Sequence, residues 1–95
     1  MADQPSPAST PAWSVLILND EFTPMEFVVH VLQEIFHLDR ETAMRIMLHA
    51  HHNGIAECAI FPETEAKAKA AEVLALARKH RHPLQCVCEQ KAFRI

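Results

Sequence analysis

The strongest constraint on the fold is a strand pattern followed at once by a well-marked helix start. The segment WSVLIL (13–18) is β-branched and apolar, which is typical of a buried strand. Thr23-Pro24-Met25-Glu26 then predicts a helix, with Thr23 as N-cap, Pro24 in the first helical position and Glu26 completing a capping box. Apolar residues follow at helical spacing: Phe27, Val28, Val31, Leu32 and Ile35.

Two more helices and two more strands follow in the pattern. Asp39 is expected to cap a second helix, which Asn53-Gly54 ends. IAECAIF (55–61) predicts a strand, an alanine-rich stretch from about residue 63 to 79 a third helix, and LQCVCE (84–89) a last strand. The order βααβαβ predicts an α+β domain of two layers, with three helices on one face of a small three-stranded antiparallel sheet.

Composition divides the chain into a tail and one domain. Residues 1–12 are rich in Pro, Ser and Ala and contain nothing large to bury, which predicts a flexible N-terminal extension. Residues 13–95 form the predicted domain. A chain of 95 residues with 49% hydrophobic and 22% charged residues fits one globular domain and is too short for two.

Charge and residue usage exclude several classes of protein. The formal charge is 9 − 12 = −3 without a block of Lys and Arg, so nucleic acid is not an expected partner. No apolar run approaches the ~20 residues of a membrane span, so no membrane partner is expected either. Three cysteines, an odd number, favour reduced thiols and a cytoplasmic location. The single glycine leaves no glycine-rich phosphate loop, and no cofactor is expected.

Catalysis and metal binding are weakly supported. Cys58 falls in a predicted strand among apolar neighbours, which predicts an inert buried thiol, and no nucleophile-elbow pattern is present, so the chain is not expected to be an enzyme. His49 and His51 lie ~200° apart around a helix, and no matched zinc spacing occurs among the seven histidines. We therefore predict no metal site, although a metal-binding protein stays open as an alternative.

Three parts of the chain could enclose one small apolar pocket. These are the strand end at Leu18-Asn19, the helix start at Thr23-Pro24-Met25, and the helix face from Met47 to His51. Methionine accepts apolar groups of several shapes, and the polar residues of these three segments would form the rim of the pocket. From spacing alone, methionines in this pattern are more often core residues than pocket residues.

The residues around this pocket resemble a known family. NDEFTPMEFV (19–28) is similar to the N-D-D-x-T-P-M-E-F-V signature of ClpS, the adaptor of the bacterial Clp protease. The resemblance continues through AMRIMLHAHHNG (43–54), the alanine-rich third helix, and His82-Pro83-Leu84 with Cys86. It extends from Trp13 to Glu89.

The resemblance implies an N-degron adaptor. ClpS proteins bind the destabilising N-terminal residues Phe, Tyr, Trp and Leu, and deliver the proteins that bear them to the AAA+ unfoldase ClpA for degradation by ClpP. By position, the α-amino group would be held by Asn19, Glu21 and His51. The side-chain pocket would be lined by Leu18, Thr23, Met25, Val28, Met47, Ala50 and Leu84, with Met25 as a gate against β-branched side chains.

Two positions depart from the family pattern. Glu21 stands where the family usually has Asp, and Ala50 stands where Val is common, which should widen or deepen the pocket floor. The preference among Phe, Tyr, Trp and Leu is therefore expected to shift.

The resemblance also implies how the adaptor meets its unfoldase. It gives the N-terminal extension a role in handover to the unfoldase. Lys69 matches an unfoldase contact, although Thr64 and Lys67 replace acidic residues nearby.

A docking module is the alternative function. The C-terminal domain of the ribosomal stalk protein, which ClpS resembles in fold, binds proteins without any pocket for an N-terminal residue. Peptides with free and acetylated N-termini would separate the two functions, because only the pocket needs a free amine.

Overall fold

The fold has the predicted order of elements. A computed structural model describes residues 12–91, so the predicted N-terminal extension lies outside it except for Ala12, which begins the first strand one residue earlier than expected. The elements are β1 (Ala12–Leu18), α1 (Met25–Phe36), α2 (Arg40–Asn53), β2 (Ile55–Phe61), α3 (Glu63–Lys79) and β3 (Gln85–Lys91). The predicted α+β class and βααβαβ order are confirmed.

The three strands form an antiparallel sheet in the order β2-β1-β3. The first strand in sequence is thus the central one, and Ile17 lies opposite Ala56 on one side and Cys86 on the other. A β-bulge interrupts the β1–β2 pairing, because Val15 and Leu16 pair with Ala59 and Glu57 and leave Cys58 without a partner on β1.

The helices cover one face of this sheet. Helix α2 packs on β2, α3 packs on β3 and β1, and α1 packs mainly on the other two helices. The core between the layers contains fully buried side chains from every layer, among them Val15, Ile17, Leu32, Val73 and Leu84. Within residues 12–91, no helix combines the length and the apolar character needed to cross a membrane.

Helix α2 begins and ends as its sequence predicts. The Asp39 carboxylate accepts a hydrogen bond from the Thr42 amide at 2.9 Å. At the other end, Gly54 adopts a left-handed conformation (φ 89°), and its amide donates to the Ala50 carbonyl at 2.7 Å. The chain therefore turns directly into β2 and leaves His51 in the last turn of the helix.

The predicted cap of α1 is wrong. Pro24 occupies the N-cap position and no side chain caps the helix, while the Thr23 hydroxyl donates to Asp20 Oδ2 at 2.8 Å. Glu26 does not complete a capping box, and its carboxylate instead pairs with Arg40 at 3.3 Å. The charged carboxylate of Asp20 is a stronger acceptor for the hydroxyl, so Thr23 faces back into the loop.

Candidate functional site

A cavity of about 310 Å³ opens where the end of β1, the β1–α1 loop, α1 and the end of α2 meet. Every residue predicted for the side-chain pocket and for the α-amino group lines it. The full lining is Ile17, Leu18, Asn19, Asp20, Glu21, Thr23, Met25, Val28, Met47, Ala50, His51 and Leu84. Ile17 and Asp20 are the two members that sequence reasoning missed.

The floor of the cavity is apolar and formed by buried side chains. Ile17, Met47, Ala50 and Leu84 are all buried. Met25, at the first position of α1, is 46% exposed and stands at the mouth. Such a floor favours the binding of an apolar side chain by ~25 cal/mol for each Å² of apolar surface that binding removes from water.

The rim of the cavity is polar. Asn19, Glu21 and His51 are exposed. The backbone amide of Asn19 donates to the Gly54 carbonyl at 2.9 Å, and this bond joins the end of β1 to the end of α2. A side-chain amide oxygen, a carboxylate and a neutral imidazole nitrogen are all hydrogen-bond acceptors. The rim can therefore surround a group with several N–H donors, such as an ammonium ion.

Asp20 organises the loop that carries part of this rim. Its Oδ1 accepts from the amides of Phe22 and Thr23, both at 2.7 Å, and its Oδ2 accepts from the Thr23 hydroxyl. Burial by itself would raise the pKa of Asp20, but these hydrogen bonds and nearby His82 hold it below its ordinary value of 3.8. An Asp three residues before a Thr is a local turn signal that could have identified this role from the sequence.

Leu84 reaches the floor from the turn between α3 and β3. The Arg78 guanidinium holds this turn, because Nη1 donates to the carbonyls of His82 at 2.9 Å and Leu84 at 3.3 Å. Arg81 adopts a left-handed conformation (φ 64°), and the His82 amide donates back to the Ala77 carbonyl at 2.8 Å. Leu84 is consequently only 1% exposed although it lies outside any strand.

None of the three cysteines, Cys58, Cys86 and Cys88, lines this cavity. Burial raises the pKa of the Cys58 thiol, and burial together with neighbouring Cys88 raises the pKa of Cys86 to about 12. Both thiols are therefore protonated and unreactive at neutral pH, as expected for Cys58. Among residues 12–91, no three His, Cys, Asp or Glu side chains come together in a way that could hold a metal ion.

Lys69 makes a contact inside the chain. Its ammonium donates to the Ile35 carbonyl in the last turn of α1 at 3.1 Å, and the side chain is half-buried. Lys67, two residues earlier, pairs with Glu63 at 2.7 Å and lies over the Trp13 ring, 5.1 Å from its centroid.

Comparison with known proteins identifies the family. Residues 8–87 match the family model described as ATP-dependent Clp protease adaptor protein ClpS. The chain belongs to the ClpS family. The match includes the cavity and the fold up to the first three residues of β3, and it makes this chain an adaptor of the Clp protease rather than a protease itself.

Curated ClpS proteins are similar over most of their length. The ATP-dependent Clp protease adapter protein ClpS 2 of Rhodopseudomonas palustris is 57% identical over 79 residues, which are 83% of this chain and 72% of that protein. The adapter protein ClpS of Brucella canis is 49% identical over 88 residues, or 93% of this chain and 76% of that protein.

A solved structure shares the fold. Agrobacterium tumefaciens ClpS2 bound to L-phenylalaninamide superimposes with a TM-score of 0.83 and 34% identity, over 84% of this chain and 96% of that one. The predicted fold class and family are thereby confirmed.

Proposed function

We propose that this chain binds the free N-terminal Phe, Tyr, Trp or Leu of a protein and delivers it to a ClpA-type AAA+ unfoldase for degradation by ClpP in the bacterial cytoplasm. The observation that carries the proposal is the combination of an apolar floor and a polar rim in one cavity. L-Phenylalaninamide, the ligand of the similar Agrobacterium protein, carries the two groups that such a cavity suits: a free α-ammonium group and a benzyl side chain.

The rim residues would hold the α-ammonium group. Glu21 would accept one charge-assisted hydrogen bond, and the Asn19 side-chain oxygen and a neutral ring nitrogen of His51 would accept the other two. An acetylated N-terminus is uncharged and has fewer N–H donors, so it would leave these acceptors without partners and bind far more weakly.

The floor would select the side chain. Leu18, Thr23, Val28, Met47, Ala50 and Leu84 would surround a large side chain that does not branch at Cβ, and burial of a Phe or Leu side chain favours binding by ~1.5–3 kcal/mol. Met25 at the mouth would crowd a side chain that branches at Cβ. Because Ala50 is small and Glu21 reaches one methylene further than Asp, we expect the preference among the large residues to differ from that of other family members.

Peptides that differ only at the N-terminus test the proposal. A Phe-led peptide with a free amine should bind, and its N-acetyl and Ile-led counterparts should bind at least about tenfold more weakly, a difference of ~1.4 kcal/mol. Glu21→Gln should weaken the free peptide about three- to tenfold, because it removes one charge from a solvent-exposed pair. Glu65→Gln is the matched control, since Glu65 is exposed on α3 and outside the cavity.

The outcome also separates the two functions left open by the sequence. A docking module of the ribosomal-stalk kind would bind its partner regardless of the amine. Equal binding of free and acetylated peptides, or no binding of any Phe- or Leu-led peptide, would contradict the N-degron proposal.

Delivery to the unfoldase requires a separate experiment. Deletion of residues 2–11, which spares β1, should leave peptide affinity unchanged and abolish degradation of a Phe-led substrate by ClpA and ClpP. Lys69→Ala should weaken unfoldase binding, and Lys67→Ala on the same helix is its control. Normal degradation with the truncated adaptor would contradict a role of the extension in handover.

A further inference from the structure

A run of basic residues begins in the last turn of α3 and continues through the turn that follows it towards the cavity. Arg78, Lys79, His80, Arg81 and His82 follow one another, and we refer to residues 78–82 as the basic turn. The first four are exposed and His82 is half-buried. Two of the five are histidines, so the run is not a block of Lys and Arg alone.

Asp20 lies near His82, but the Lys and Arg side chains of the basic turn have no carboxylate partner among residues 12–91. Four other cations within residues 12–91 are each paired with a carboxylate, namely Arg40 with Glu26, Arg45 with Glu41, Lys67 with Glu63 and Lys91 with Glu57, while Lys69 donates to a backbone carbonyl. None of the ion pairs found within residues 12–91 includes a residue of the basic turn. A favourable interaction with the helix dipole accounts for cations in the last turn of α3, at Arg78 and Lys79, but not for Arg81 beyond its end.

The basic turn adjoins the cavity. Its last residue, His82, is separated from the floor residue Leu84 only by Pro83, and its ring packs edge-on against Phe27 of α1 with the centroids 4.5 Å apart. His80 also contacts Phe27, at 5.4 Å. Three residues of backbone reach at most ~11 Å, so the Arg81 Cα lies within that distance of the Leu84 Cα.

We propose that the basic turn binds a carboxylate-rich stretch of the N-degron substrate, a few residues after the one in the cavity. This inference rests on the proposed function. An extended chain advances ~3.3–3.6 Å per residue, so side chains at substrate positions 4 to 6 lie about 10–18 Å from the first residue, a span comparable with the ~11 Å limit between Arg81 and Leu84. The rim itself carries Asp20 and Glu21, which repel an acidic residue at position 2. The charge preference therefore changes sign along the substrate.

Phe-led peptides of twelve residues with a Glu-Glu pair at different positions test this inference. The neutral peptide sets the reference, and the pair is placed at positions 2–3, 5–6 or 10–11. The pair at 5–6 should bind about three- to tenfold more tightly than the neutral peptide at low salt, since each exposed ion pair contributes little. The gain should vanish at about 0.5 M salt, where screening extends over only a few Å.

Two variants connect the gain to the basic turn. Lys79→Glu with Arg81→Glu should reverse the charge preference, so that a Lys-Lys pair at positions 5–6 binds more tightly than a Glu-Glu pair. Lys79→Gln with Arg81→Gly should abolish the preference. Glycine adopts the left-handed backbone conformation of position 81 without strain, so the second variant should fold normally. Both should bind the neutral peptide as the parent does. Arg40→Glu with Arg45→Glu, two exposed cations of α2, is the control and should leave the preference unchanged.

The possible results are distinguishable. If the neutral Phe-led peptide binds but acidic pairs give no gain at any position, the inference is overturned while the proposed function stands. A gain that survives in both basic-turn variants also overturns it. If the neutral peptide does not bind, the proposed function fails, and this inference fails with it.

Discussion

The substitution Ala50→Val tests whether the cavity floor sets the substrate preference. Ala50 faces the cavity from α2 and is only 3% exposed, so a branched side chain there must occupy part of the 310 Å³. Overfilling a packed apolar site costs ~1–3 kcal/mol, which corresponds to about a 5- to 150-fold loss of affinity. The loss should be largest for a Trp-led peptide and smaller for Phe, while a Leu-led peptide should change by less than about threefold.

Fluorescence anisotropy with Trp-, Phe- and Leu-led peptides measures this directly. Valine is a weaker helix former than alanine by at most ~0.7 kcal/mol, so the fold should be nearly as stable as before. Ala43→Val is the control, because Ala43 is fully buried on the same helix but does not line the cavity. It should lower the free energy of unfolding without changing the order of the peptides. An equal loss for all three peptides in Ala50→Val would refute the reasoning.

Three further predictions concern the rim, the mouth and the loop. Met25→Ala should admit Ile- and Val-led peptides to within about tenfold of Leu, and unchanged rejection in a competition assay would exclude the gate. His51→Ala should weaken binding of a Phe-led peptide about three- to tenfold, because it removes one hydrogen-bond acceptor for the ammonium group; an unchanged affinity in the same assay would contradict this role of the ring. The lowered pKa of Asp20 means that its carboxylate stabilises the fold at neutral pH, and that this contribution is lost as the pH falls below 3.8 and through its folded pKa. The free energy of unfolding should therefore fall less between about pH 5 and 2 in Asp20→Asn than in the parent, and equal slopes would argue against the hydrogen bonds described.

Local signals in the sequence account for most of the fold. The Asp39 cap and the single glycine at 54 predict the ends of α2 because each acts through its own backbone neighbours. The strand order β2-β1-β3 has no such local signal, since it depends on how the helices cover the sheet. The misplaced Thr23 cap has a different, local origin: Asp20, three residues earlier, accepts a hydrogen bond from the Thr23 hydroxyl and turns it away from the helix.

The cavity lining is predicted by a motif rather than by periodicity. Helical spacing alone could not show whether Met25 and Met47 line a pocket or belong to the core, because both roles place methionines on an inward face. The resemblance to ClpS assigned both methionines to the pocket. Ile17 was missed because a buried strand residue beside a cavity has the same pattern as any other core residue, and its contact with the cavity arises only where β1 ends.

Titration of the ¹⁵N-labelled chain with L-phenylalaninamide, and with its N-acetyl derivative as control, tests the central claim most directly. We predict that the amide resonances of the cavity lining from Ile17 to Met25, around Met47 to His51 and at Leu84 shift in a saturable manner with L-phenylalaninamide. The N-acetyl derivative should leave them unchanged at the same concentrations. Shifts elsewhere with the cavity unaffected, or equal shifts with both compounds, would contradict the claim that this cavity binds a free N-terminal residue.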